Sequence, residues 1–188
     1  MNEFIKKNGI NFGLILGFLL ILPTMLGYAF DISLLVSYWT LAYVFLAVII
    51  LGILVIAFSK KALGGFISFK QAFASYFIMI IVSFFLSTLL NFALFNVIDK
   101  DFEQVVKEEQ IALTEKQRDF FANQMGDAPQ DKVDEFHDKF DEAIEKIKED
   151  KPYSPLSLLK GFTISIAIFA VFGLLLALIL KKKDPALE

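Results

Sequence analysis

Four long stretches of this sequence carry no charged residue. They run Asn8 to Phe30, Ile32 to Ser59, Gln71 to Ile98 and Gly161 to Leu180. A helix needs roughly 20 apolar residues to cross the hydrocarbon core of a bilayer, and each stretch is that long. In lipid every backbone N–H and C=O must find its partner within the protein, and a helix pairs them inside one segment. The expected fold is therefore an all-α polytopic membrane protein with four transmembrane helices, at about 9–30, 34–58, 71–98 and 156–180. A helical insertion, 99–155, lies between the third and fourth spans, and 181–188 is a basic tail.

Lysine placement sets the orientation. Basic residues near span ends favour the cytoplasm. Lys6 and Lys7 precede the first span, Lys60, Lys61 and Lys70 lie between the second and third, and Lys181, Lys182 and Lys183 follow the fourth. The loop between the first two spans has only Asp31. Four spans put all three lysine-bearing segments on one side, so both termini are expected to be cytoplasmic and the insertion extracytoplasmic. The first run resembles a signal peptide, but it is long and no clear cleavage site closes it; it is read as a retained anchor.

The insertion holds 17 acidic and 9 basic residues, a net charge of −8. That excess disfavours nucleic acid as a partner. Val133, Phe136, Phe140, Ile144 and Ile147 recur at helical spacing and form an expected apolar face. Thr114 with Gln117 suggests a capping box, with Phe120, Phe121 and Met125 forming an apolar face before a stop at Gly126. Phe102, Val105 and Val106 are expected to prolong the third span. Asp127-Pro129 reads as a second helix start, Lys151-Pro152 as its end and Ser154-Pro155 as the start of the last span. Such a small helical unit is marginal alone, so it is expected to lean on itself, on the membrane surface or on another chain.

Within the spans, Gly9, Gly13 and Gly17 are spaced for close helix approach, and Gly173 with Ala177 forms a similar small face. An internal contact is the expected use of this face, a homo-oligomer contact the alternative. Pro23 and Gly27 are expected to kink the first span, with a neighbour satisfying the freed carbonyl. Ser83, Ser87 and Asn91 make a polar stripe on the third span, expected to bond neighbouring helices.

Little here points to chemistry. No Asp, Glu, Lys, Arg or His lies deep in a span, where proton and ion pathways usually carry one. There is no cysteine, which excludes disulfides and thiolate chemistry. Asp134, His137, Asp141 and Glu145 share one helix face, but one histidine among carboxylates reads as a solvated acidic face rather than a metal site. The 22 phenylalanines are read as packing and lipid contact. No cofactor is expected, and no nucleotide or hydrolase motif occurs.

The loop Gly65-Phe66-Ile67-Ser68-Phe69-Lys70-Gln71-Ala72-Phe73, the early Asn11-Phe12-Gly13-Leu14 and the insertion before the last span together resemble a bacterial membrane-protein family known as domain of unknown function 4199. That resemblance implies four spans and a bacterial inner membrane, and supplies no catalytic residues. In the shared loop, Ser68 is placed to cap the third span and Lys70 to anchor it. The expected role is a non-enzymatic membrane scaffold or interaction component, in contact with the lipid bilayer and with a protein partner or a second copy. A small transporter or channel subunit is the alternative.

Overall fold

The computed structural model describes residues 2–126 and 129–182. The described chain is helical almost throughout and forms no strand. Helix α1 spans Glu3–Ala29, starting ahead of the uncharged run because the Asn2 side chain caps it, accepting from the Phe4 N–H. A single turn, α2 (Ser33–Val36), follows, with Asp31 accepting from the Ser33 N–H at 3.0 Å. Helix α3 (Tyr38–Ala62) begins later than the expected residue 34, because extended Ser37 breaks the run and caps the new helix through the Trp39 N–H.

Helix α4 (Phe69–Ala93) opens on a complete capping box in which Ser68 and Gln71 satisfy each other's backbone N–H groups. A π-helical turn, Leu94–Ile98, completes the third span. The chain then breaks, so Phe102 does not prolong that span. The Asp99 carboxylate accepts from the Phe102 N–H at 3.1 Å and starts α5 (Phe102–Gln124) afresh. Thr114 starts nothing: α5 is one helix, and the Thr114 hydroxyl donates back to the Gln110 carbonyl at 2.8 Å. Gly126, at φ +48°, follows the end of α5 in the left-handed conformation that glycine tolerates best. Helix α6 (Gln130–Glu149) starts after Pro129; Asp127 lies outside the described residues. Ser154 caps α7 (Pro155–Leu180), with Pro155 in its first turn.

Helices α1, α3, α4 and α7 are long and apolar enough to cross a membrane. Helix α4 packs on the other three, and its most extensive contact is with α1. These two helices run parallel, in a register set by glycine. A Cβ added at Gly13 would stand 2.7 Å from Val82 Cβ and 3.0 Å from the Met79 carbonyl oxygen. Gly9 meets the Ser75 carbonyl and Gly17 the Ser83 carbonyl in the same way, so each step of four along α1 matches a step of four along α4. The glycines are therefore spent on a contact within one chain. Where apolar surface gains little by leaving lipid, such close approach and the weak Cα–H···O contacts it permits supply the packing.

An adjoining face of α4 carries Tyr76, fully buried between α3 and α7. Gly52 and Gly173 leave room for its ring, and Ala177 is buried with it in the main core. The Tyr76 hydroxyl has no hydrogen-bond partner among the described residues, so the ring is held by packing alone. The polar stripe of α4 bonds within its own helix rather than to neighbours. Ser83 donates to the Ile80 carbonyl at 3.0 Å and Asn91 to the Ser87 carbonyl at 3.0 Å, because a short side chain reaches its own preceding turn more easily than a second helix.

Helix α1 continues through Pro23. A proline has no N–H, so the carbonyl four residues earlier, on Leu19, loses its helical partner. The Tyr43 hydroxyl of α3 donates to that carbonyl at 3.0 Å.

The lysine-bearing segments meet at one end of the bundle. Ile67 and Lys182 exchange two backbone hydrogen bonds of 2.9 Å, which clasp the loop before α4 to the end of α7. Lys60 donates to the Leu180 carbonyl at 3.3 Å, where a positive charge suits a helix C-terminus. Asn8 of α1 donates to the buried Ser59 hydroxyl of α3. Residues 183–188 lie outside the described residues.

The Leu19–Tyr43 bond makes a specific prediction. Tyr43→Phe strands a carbonyl and lowers stability in nanodiscs by about 1–2 kcal/mol. In a Pro23→Ala background the new N–H can bond Leu19, and the same change costs less than half as much. Tyr76→Phe, which removes an unpartnered hydroxyl, leaves stability unchanged or higher. Thermal unfolding of the four variants checks this; an equal cost of Tyr43→Phe in both backgrounds would contradict it.

Candidate functional site

The end of the bundle opposite the clasp is built from aromatic residues at the span ends. Phe95, in the π-helical turn, stacks on Tyr153 with ring centroids 3.5 Å apart and on Phe102 at 5.3 Å. Tyr28 of α1 meets the Phe102 ring edge-on at 4.8 Å. Phe95, Phe102, Leu94 and Val106 form a second buried cluster, closed by Ile32, Leu35 and Val36 around α2. The Asn96 amide donates to the Tyr153 carbonyl at 2.9 Å. Burial, helped by the Glu103 carboxylate, pushes the Tyr153 phenol up to about 12. This knot joins the start of α5 and the end of the α6 connection to the membrane helices.

From the knot, α5 and α6 form an antiparallel hairpin. Lys107 of α5 is buried and donates to the Lys148 carbonyl at 3.4 Å, placing its charge at the C-terminal end of α6, with Glu103 at 3.7 Å. Arg118 of α5 pairs with Asp141 of α6 at 3.1 Å. Along α6, Ile144 is buried, while Val133, Phe136, Phe140 and Ile147 are half-buried. The stripe faces the hairpin partner, but two helices alone leave its edges uncovered. Phe120 and Phe121 form no covered face: they pack edge-to-face on each other at 5.4 Å and are 59% and 48% exposed.

The opposite face of α6 exposes Asp131, Asp134, Glu135, Asp138, Glu142 and Glu145. Asp134 accepts from the Gln130 amide at 2.9 Å, and Glu135 pairs with Lys139 at 2.7 Å, which holds its carboxyl below the usual range. His137 meets the Phe136 ring edge-on at 5.7 Å. Among the described residues no three His, Asp or Glu side chains converge as a metal site would require. Sequence reading missed the knot and Lys107. The available signal for the knot was aromatic residues flanking three chain turns, Tyr28 at the end of α1, Phe95 and Phe102 around the break after the third span and Tyr153 before α7; nothing local marked Lys107 as different from its neighbouring lysines.

A recess of about 350 Å³ lies between α1 and α3, with Pro23, Trp39 and Tyr43 among its walls. Its apolar lining suits lipid contact.

The family model described as Protein of unknown function (DUF4199) matches residues 11–182. The chain belongs to this family. The DUF4199 match takes in α1 from residue 11 onward, the other three apolar helices, the clasp and the hairpin, and the helices mark the chain as a membrane protein. No curated protein and no solved structure matches it.

The hairpin predicts contrasting variants. Phe140→Asp places a charge in the stripe and should detach α6 from α5, since burying such a side chain contributes on the order of 2 kcal/mol. Asp141→Asn removes only an exposed ion pair and should cost under about 1 kcal/mol. Hydrogen exchange on the whole protein in nanodiscs should show α6 amides losing protection in the first variant and keeping it in the second.

Proposed function

We propose that this chain is a non-enzymatic component of the bacterial inner membrane. Its four spans act as a scaffold, and the α5–α6 hairpin is the element that meets a protein partner. Both termini are cytoplasmic and the hairpin is extracytoplasmic. The observation that carries the reading is the aromatic knot of Tyr28, Phe95, Phe102 and Tyr153, which holds the hairpin against the membrane helices instead of leaving it on a free tether. A surface held in a fixed pose loses less freedom on binding. The acidic outer face of α6 supplies charge that a basic partner surface would complement. A transporter or channel pathway could use the polar stripe of α4, but Ser83 and Asn91 bond within their own helix.

Two measurements test this. Reporters inserted near Gly126 should be active only outside the cytoplasm, and reporters fused after Glu188 only inside; the reverse would sink the orientation. A photo-crosslinker at Asp138 of the membrane-embedded protein in its native cell should capture a discrete partner. The combined reversal Asp134→Lys, Asp138→Lys and Glu142→Lys, with the crosslinker moved to Asp131, should abolish capture while the hairpin stays folded. Solute flux through proteoliposomes of the purified protein, with no crosslinked partner, would favour the transporter reading.

A further inference from the structure

We infer that the distal half of α5 lies on the bilayer surface beside the bundle, with Phe120 seated among the lipid headgroups and upper acyl chains. This inference goes beyond the docking role of α6 and does not depend on it.

The first half of α5 crosses the end of the bundle. Phe102 packs on Tyr28 and Phe95, and Val106 is buried in the same cluster near Ile32 and Val36. Further along, Glu109 and Leu113 line a recess of about 250 Å³ together with Ser37 and Trp39 at the start of α3. Trp39, the only tryptophan, is 83% exposed at a span end, where an indole marks the membrane–water interface. Helix α5 therefore runs along the interface rather than away from it, and it reaches the rim of the bundle near Leu113.

Beyond that rim the helix continues for Thr114–Gln124, and among the described residues the elements that α5 packs against extensively are α2 and α6, not a span. Helical periodicity places Phe120 on the face of Phe102, because eighteen residues make about five turns. From Leu113 outward the residues within about 60° of that direction are Leu113, Lys116, Gln117, Phe120, Asn123 and Gln124, of which Lys116 alone is charged. Phe120 lies about 10 Å past Leu113 along the axis, over lipid. The hairpin does not cover it: the Lys107 and Arg118 contacts place α6 on a different side of α5, and Phe120 is 59% exposed. Lys116 lies on this face and can extend its amine to phosphate. Glu115 is exposed on the far side. An aromatic face that carries no carboxylate beyond Leu113 and is continuous with the covered interface fits one occupant, the leaflet that surrounds the bundle.

The chain has no cysteine, so single labels can be placed without further change. Phe120→Cys, Glu115→Cys and Ile164→Cys, each carrying a nitroxide, would be measured in full-length protein in phosphatidylethanolamine–phosphatidylglycerol nanodiscs. Ile164 is a lipid-facing reference on α7, and Glu115 a water-facing one. The label at position 120 should collide with an aqueous nickel complex several-fold less often than the label at 115, and should collide with dissolved oxygen more often, shifted toward the value at 164. Equal nickel access at 120 and 115 would overturn the inference. So would a label shielded from both probes, whether its spectrum broadens through a second copy, an effect lost on dilution with unlabelled protein, or stays narrow through contact within the chain. Phe120 is exposed, so its replacement leaves the fold intact, and unchanged thermal unfolding of the labelled protein checks this.

Discussion

Helices α1 and α4 approach so closely that a methyl group on Gly13 would collide with Val82. The rest of the membrane domain follows from that approach. Lipid gives apolar side chains little reason to prefer one another, so a membrane bundle is specified by shape, by close backbone contact and by satisfied polar groups. The glycine seam sets the parallel register of two helices that are not neighbours in sequence. With α4 fixed against α1, its adjoining face presents Tyr76 to the space that Gly52 and Gly173 leave open on α3 and α7. Both arrangements use a missing side chain on one helix to admit a large group or a backbone from another.

The two ends of the bundle are closed by different means. At the lysine-bearing end the links are polar: the Ile67–Lys182 backbone pair, the Lys60–Leu180 bond and the Asn8–Ser59 bond. Basic side chains there complement the C-terminal ends of α3 and α7. At the opposite end the links are aromatic, and they carry the hairpin. Phe95 is central because it touches both Phe102, which opens the insertion, and Tyr153, which closes it. The entry and exit of the insertion are thus tied to one side chain at the end of α4, the helix that already contacts the other three spans.

Local signals in the sequence were read well. The spans, the Ser68 cap, the Gly126 stop and the Ser154-Pro155 start depend on residues only a few positions apart, where periodicity and capping chemistry act directly. The DUF4199 resemblance rested on a loop that the structure clasps to α7. Boundaries failed where a short polar side chain chose between two roles. Ser37 breaks and caps a helix inside an uncharged run, Asp99 restarts one after the third span, and Thr114 bonds back into α5 instead of starting it. The sequence also could not say which helix the glycines of α1 would meet, because α3, α4 and a second copy all offer apolar surface. Nor could it pair Tyr43 with the carbonyl freed by Pro23, since that contact depends on the rotation of two separate helices. Long-range partners were illegible for one reason: in lipid they are selected by fit, and hydropathy does not encode fit.

The central claim is that the α1 glycine face is used within one chain, against α4. Solid-state NMR of the protein in bilayers tests it directly. Labelling glycine Cα and methionine carbonyl carbons with ¹³C leaves few possible cross-peaks, since the chain has only 4 methionines, and the Gly13–Met79 peak is told from the sequential Met125–Gly126 peak by its disappearance in Gly13→Ala protein. The account predicts that this cross-peak is present and keeps its full relative intensity when labelled protein is diluted into unlabelled protein. Its absence, or its disappearance on dilution, would show that the glycine face meets something other than the α4 of its own chain.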